Sequence, residues 1–233
     1  MITAAAVHKR TLQLADPARA KSSQWFFKTG PGQYGEGDRF IGITVPVLRQ
    51  LAREYESLSL SGVASLLKSS WHEERLLALL ILVRQYTRGD AAGRSDIYKC
   101  YIDNRSRINN WDLVDCSAPQ IVGAHLQQGG RRFLRELARS RSLWDRRIAI
   151  LATFHYIKAN EFADALAIAE MLLPDREDLI HKAVGWMLRE IGKRDRKMLE
   201  RFLREHASRM PRTALRYSIE RFPEDLRRRY LAM

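Results

Sequence analysis

The chain has 233 residues, 45% of them hydrophobic, and a net charge of +13, a content that supports one substantial packed core and excludes a disordered chain. The longest apolar run, LLALLILV at 76–83, is far too short for a membrane span. Only Cys100 and Cys116 occur and MITAAAVHKRTLQLADPARA lacks the apolar stretch of a secretory signal, so a disulfide framework is excluded and a reducing, cytoplasmic compartment is expected.

In chain order, DPARAKSSQWFFK (16–28) places Pro17 at a first helical position behind Asp16, a capping residue type. GPGQYG (30–35) satisfies the G-x-G-x-x-G spacing, but it follows a helical segment and contains Pro31, so it lacks the setting of a dinucleotide site. TVPVLRQLAREYE (44–56) begins at a Thr44 cap, and SSWHEERLLALLILVRQY (69–86) has Ser70 as a cap with Glu73 three residues on, the capping-box spacing. RINNWDLVDCSAPQIVG (107–123) sets Trp111, Asp112 and Asp115 in an otherwise apolar helix. Asp112 is expected near the N-terminus of that helix, as a cap or as the partner of Arg105 or Arg107. MPRTALRYSIERFP (210–223) starts and stops at prolines. About a dozen helices with short connections and no period-two alternation make an all-α protein, and 1–233 reads as one domain because no composition break divides it.

The charge excess is carried by 31 arginines against 9 lysines, and it is uneven, +4 over residues 1–130 and +9 over 131–233. Clustered arginine at a pI near 10 is the electrostatic footprint of a nucleic-acid binder. A solvated basic surface, or one that meets anionic lipid or an acidic protein, is the alternative.

Tryptophans supply a ruler. Trp71, Trp111, Trp144 and Trp186 fall at separations of 40, 33 and 42, the period of HEAT and armadillo helix pairs. The expected architecture is a superhelical solenoid of about six HEAT-like helix pairs, with a basic concave groove as its binding surface. Each indole is either an inter-repeat core residue or a groove residue. Spacing favours the groove, because Trp111 with Asp115 is an i,i+4 pair, and Trp144 with Arg147 and Trp186 with Arg189 are i,i+3 pairs. A core would have to bury those charges as compensated ions; a salt bridge between Asp115 and one of the arginines is the competing structural reading.

NNWDLVD (109–115), LWDRRIAIL (143–151) and HKAVGWMLREIGKRD (181–195), with FFKTGPGQYGEGDRFIGITVPVLRQLA early and MPRTALRYSIERFP late, resemble the AlkD family of bacterial DNA alkylation repair glycosylases. The resemblance runs over nearly the whole chain and rests on the motifs in combination. It implies that Asp115 is the catalytic aspartate and that Trp111 and Trp186 flank the lesion nucleotide. Arg147 and Arg189 match conserved basic positions, Arg147 holding a backbone phosphate and Arg189 placed with the substrate-binding residues. The implied reaction is excision of N3- and N7-alkylated purines from double-stranded DNA, by a monomer in the bacterial cytoplasm, without drawing the base fully from the duplex. For GPGQYG (30–35), within the glycine-rich loop 29–38, the alternative to a dinucleotide site is a flexible loop that contacts DNA or covers the groove.

The chemistry stands beside the resemblance. An alkylated purine is already cationic and leaves without a strong general acid. One carboxylate then suffices to stabilise the oxocarbenium-like sugar and to orient water. Indole faces attract such cations by about 0.5 to 2 kcal/mol each, and arginines fix the flanking phosphates. Lys182, four residues before Trp186, is read as touching phosphate or solvent and not as a Schiff-base nucleophile, so the enzyme is expected to be monofunctional. The six histidines, at 8, 72, 125, 155, 181 and 206, show no ligand spacing with the cysteines, and no metal or cofactor is expected. The competing classes are a non-catalytic HEAT-type nucleic-acid scaffold and a protein-interaction solenoid.

Overall fold

The computed structural model describes residues 2–233. Among these residues every regular element is a helix, and the one β-type pairing is an isolated parallel bridge between Arg39 and Trp71. None of the described helices is long and apolar enough to cross a membrane. The helices gather into two compact units, one ending at Ile121 and the other beginning at Val122.

The first unit holds α1 (Ala4–Gln13), α2 (Pro17–Phe26), α3 (Val45–Glu54), α4 (Leu60–Leu67), α5 (His72–Arg88), α6 (Ala91–Asp103) and α7 (Trp111–Asp115). Helices α3, α4, α6 and α7 all pack on α5. LLALLILV explains that position, since a helix apolar on every side must be enclosed. Leu76, Leu77, Ala78, Leu79, Ile81 and Leu82 are all buried. Their burial stabilises the unit by on the order of 10 kcal/mol before chain entropy is subtracted.

Two helix starts follow the sequence expectation in position and differ in chemistry. Asp16 accepts the Arg19 N–H at 3.0 Å with Pro17 opening α2, whereas Thr44 occupies the cap of α3 without a side-chain bond. The Ser70–Glu73 capping box does not form, because Trp71 is the cap of α5. Glu73 turns instead to the irregular segment before α3. Its carboxylate accepts the backbone N–H groups of Ile41 at 2.9 Å, Gly42 at 2.7 Å and Ile43 at 3.3 Å. These buried amides belong to no helix or sheet ladder, so a buried carboxylate must satisfy them.

The second unit holds α8 (Ala124–Leu126), α9 (Arg132–Ala138), α10 (Leu143–Ala152), α11 (Phe154–Lys158), α12 (Ala163–Leu172), α13 (Asp178–Gly192), α14 (Arg196–His206), α15 (Arg212–Ser218) and α16 (Glu224–Leu231). Helix α13 is central, with α10, α12, α14 and α15 against it. Its buried residues Ile180, Ala183, Val184, Met187, Leu188 and Ile191 repeat at steps of three and four, one continuous apolar stripe. Gly185 admits α15, since a Cβ there would lie 2.5 Å from the Tyr217 Cβ. Consecutive helices pair within each unit, α4 on α5, α9 on α10 and α12 on α13, as HEAT-like repeats do. The all-α expectation therefore holds.

Candidate functional site

Helix α7 is only five residues long, and both of its ends have a local cause. Asn110 opens it, its side-chain oxygen accepting the Trp111 N–H at 2.8 Å. Pro119 closes it, because a proline inside a helix lacks the donor for the carbonyl four residues earlier and clashes with it; here that carbonyl belongs to Asp115. Beyond the turn at Cys116 and Ser117 the helix resumes with a widened, π-type stretch, Pro119–Gly123. Such widened turns recur at functional sites. Trp111 and Asp115 thus share one face of α7 and are half-buried, while Leu113 and Val114 are fully buried in the unit.

An aromatic stack supports Trp111. Its indole lies on the Phe27 ring at 5.3 Å and 21°, and the Phe26 ring meets it edge-on at 6.0 Å. Phe27 stacks in turn on Phe40 at 5.0 Å, and the His72 imidazole lies 4.9 Å from Phe27 and 4.5 Å from Phe40.

His72 is also the centre of a buried ionic cluster. Its Nδ1 is 2.9 Å from Asp38 Oδ2 and its Nε2 is 2.8 Å from Asp112 Oδ2. Arg75 donates to the other Asp38 oxygen at 2.5 Å, and Asn110 Nδ2 lies 3.4 Å from Oδ2. This corrects the expectation for Asp112. It does stand in the first turn of α7, but Asn110 is the cap and His72 the ionic partner. Arg107 donates instead to the carbonyls of Lys68 at 3.0 Å and Ser69 at 3.2 Å, and Arg105 to that of Ile102 at 3.1 Å. Burial opposes charge on His72, but the attraction and hydrogen bond of Asp112, together with those of Asp38, raise its pKa to about 9. Burial likewise pushes Asp38 up, and the bonds and charges of His72 and Arg75 outweigh it and hold the carboxyl below its usual range. The cluster ties the glycine-rich segment, through Asp38, to the start of the helix that carries Trp111 and Asp115.

The glycine-rich segment is a run of turns stitched by its own side chains. Gly30 N–H donates to Gln33 at 3.0 Å, Gly32 N–H to Glu36 at 2.9 Å, and Gly35 N–H to the Lys28 carbonyl at 3.1 Å. The thiol next to Asp115, Cys116, is pushed up by burial and then by the charges of Asp112 and Asp115, which removes it as a nucleophile.

In the second unit Trp144 lies in the first turn of α10 with Arg147 one turn on. Arg147 is 5% exposed, and its Nη1 donates to the Leu179 carbonyl at 2.6 Å. Trp186 and Arg189 share the face of α13 opposite its apolar stripe. Trp186 Nε1 donates to Glu190 Oε1 at 3.2 Å, and its ring is 5.9 Å from Phe154. Arg189 pairs with Glu220 and lies 3.7 Å from Glu190, with its Nε buried and without a hydrogen-bond acceptor. Glu190 is further held by Lys193 at 2.7 Å and Arg194 at 3.9 Å, so one buried carboxylate orients both Trp186 and Arg189. Lys182, read from the sequence as facing phosphate or solvent, is paired with Asp178 at 2.8 Å.

None of the four tryptophans on the ruler is buried, which goes against the inter-repeat core reading. Sequence reasoning missed Phe27, Asp38, His72 and Glu190. The i,i+4 spacing of Trp186 and Glu190 was a usable signal for the last, whereas Asp38, His72 and Asp112 meet only through tertiary packing. Among the described residues, no group of three or more His, Cys, Asp or Glu side chains is arranged to hold a metal ion.

No curated protein matches the chain by sequence. Among solved structures it resembles a protein described as a predicted DNA alkylation repair enzyme from Enterococcus faecalis, with a TM-score of 0.67 and 17% identity over 90% of this chain and 97% of that one. At that identity the likeness establishes the shared helical fold. The family profile described as DNA alkylation repair enzyme matches residues 8–222, through both units and every candidate residue, and the chain therefore belongs to the DNA alkylation repair enzyme family.

Proposed function

We propose that this protein is a monofunctional DNA glycosylase that hydrolyses the N-glycosidic bond of cationic N3- and N7-alkylated purines, such as 3-methyladenine and 7-methylguanine, in double-stranded DNA. The observation that supports the reading is the pairing of Trp111 with Asp115 on one half-buried face of α7, a carboxylate and an indole set side by side in a strongly basic protein. In the reaction the C1′–N bond breaks, and its electron pair neutralises the departing base. The Asp115 carboxylate stabilises the cationic sugar that remains and takes the proton of the water that adds to C1′. Trp111 and Trp186 offer ring faces to the cationic base and sugar. Arg147 is the position proposed for a backbone phosphate and Arg189 for the substrate side. Residues from both units are included because a single family profile runs through both, and a monomer is part of the same proposal.

The test is Asp115→Asn with duplex DNA containing 7-methylguanine, scored by chromatography of the free base. Release should fall by about 100-fold or more, the size of a lost charge-stabilising or general-base group, while affinity for the same duplex stays within about twofold, an uncharged isostere leaving the phosphate contacts in place. Undiminished release overturns the assignment. A wild-type protein that binds DNA and releases no base leaves the scaffold reading in its place.

A further inference from the structure

Helix α2 is anomalous within its unit, for it has ten residues and buries none of them. A helix of that length is marginal in isolation and normally owes its stability to one packed face. Its ends are what hold it. At the N-terminal end Asp16 N–H donates to the Ile41 carbonyl at 3.0 Å, and the chain at Gly42 presses so close that a Cβ there would be 2.1 Å from the Asp16 oxygen. At the other end Phe27, just past the helix, joins the stack of Phe40 and Trp111. The body between carries Trp25 and Phe26, 76% and 55% exposed, on the surface.

The residue that follows is as telling. Lys28 has φ +56, the left-handed conformation at a helix C-terminus that glycine or asparagine adopts at least cost. Its N–H and that of Thr29 close the helix on the carbonyls of Trp25 and Gln24. A glycine would serve that turn better, so the lysine is explained by its side chain, which lies over the Trp25 ring at 4.9 Å. Lys21 precedes Trp25 by one helical turn, and residues 17–35 contain Arg19, Lys21 and Lys28 with no Asp or Glu. Arg19, Lys21 and Lys28 are all exposed.

We propose that the exposed face of α2 is a nucleic-acid contact in which Trp25, flanked by Lys21 and Lys28, stacks on an unpaired nucleobase of damaged DNA. Three features select this occupant over an apolar protein partner. The aromatic pair is interleaved with Lys21 and Lys28, and the acid at the helix start, Asp16, is paired with Arg19 at 3.6 Å, so the cations beside Trp25 face no carboxylate on their own helix, the pattern that suits bases alternating with phosphates. Trp25 and Phe26 are consecutive, and Phe26 touches Trp111, so the patch continues the surface that displays Asp115. The chain belongs to a family of enzymes that repair DNA. The inference rests on DNA as the partner and not on the chemistry proposed for Asp115. It is accordingly tested by binding without turnover.

Two fluorescent duplexes of one sequence serve as probes, one fully paired and one with a tetrahydrofuran abasic-site analogue that leaves the opposite base unpaired. For the full chain, Trp25→Ala should weaken binding to the second by roughly 5- to 100-fold, the range of one base–aromatic stack. Binding to the first should change less than about twofold, since a paired base presents no free face to stack on. Trp25→Phe should keep most of the affinity. Lys28→Gly should weaken binding to both duplexes and lower the salt slope by about one, with Tm unchanged or higher because the left-handed residue is relieved. As a readout independent of variant folding, 2-aminopurine placed opposite the analogue should be quenched when the wild-type chain binds. Equal loss on both duplexes, no loss on either, or unquenched 2-aminopurine in the complex would overturn the proposal. No loss on either would leave the face of α2 to a protein partner or a second copy.

Discussion

Replacing His72 with glutamine leaves Arg75 on Asp38 but removes the cation that joins Asp38 to Asp112, in a cluster whose two carboxylates are nearly enclosed. The side chains of His72, Asp38 and Asp112 are 2%, 4% and 15% exposed, so solvent screens the interaction little. Raising an imidazole from 6.5 to about 9 corresponds to about 3 kcal/mol of folded-state preference for the charged form. The sign follows from the direction of the shift. Because the folded pKa is the higher, this stabilisation is complete below pH 6.5, declines as pH rises, and is lost once pH passes about 9. Urea unfolding of wild type and His72→Gln at intervals from pH 6 to 10 isolates it, since tyrosines and lysines titrate alike in both proteins. The difference in unfolding free energy should be about 3 kcal/mol larger at pH 6 than at pH 10. In the same series, the glycosylase activity proposed above should show 7-methylguanine release by the wild type falling above about pH 9, as the tie between His72 and Asp112 at the start of α7 weakens. A pH-independent difference, or one that grows toward pH 10, would refute a charged His72.

Glu73→Ala leaves the N–H groups of Ile41, Gly42 and Ile43 without their acceptor. At about 1–3 kcal/mol for each unsatisfied buried group, the loss should exceed that of any single aliphatic truncation in α5, measured by urea unfolding. Gly42→Ala combines a φ of +95 with a Cβ 2.1 Å from the Asp16 oxygen and 2.9 Å from the Ala20 nitrogen. It should lower Tm and open α2 to proteolysis before the rest of the chain; a Tm within about 1 °C of wild type would contradict the close approach.

Much of the fold was legible because its signals are local. Steps of three and four in Ile180–Ile191 dictate the packed face of α13, the run at 76–83 demands enclosure of α5, and Asp16–Pro17 starts α2 wherever it lies. The pairing of Trp111 with Asp115 was legible for the same reason, as helical geometry puts residues four apart on one face. The helix-start signals were less reliable. Ser70 and Glu73 had the spacing of a capping box, but that spacing says nothing about competing donors, and three distant amides claimed the carboxylate.

The amino-acid sequence by itself determined the helical class, the basic charge that suits DNA, and which tryptophans and charges share a helix face, because each depends on residues within a turn or two of one another. Tertiary structure decided what those residues touch. Asp112 belongs to His72, 40 positions away, and not to the neighbouring arginines; Trp186 and Arg189 are both held by Glu190; and Trp111 rests on Phe27. A buried charge takes whichever partner packing brings within hydrogen-bond distance, and sequence separation carries no information about that choice.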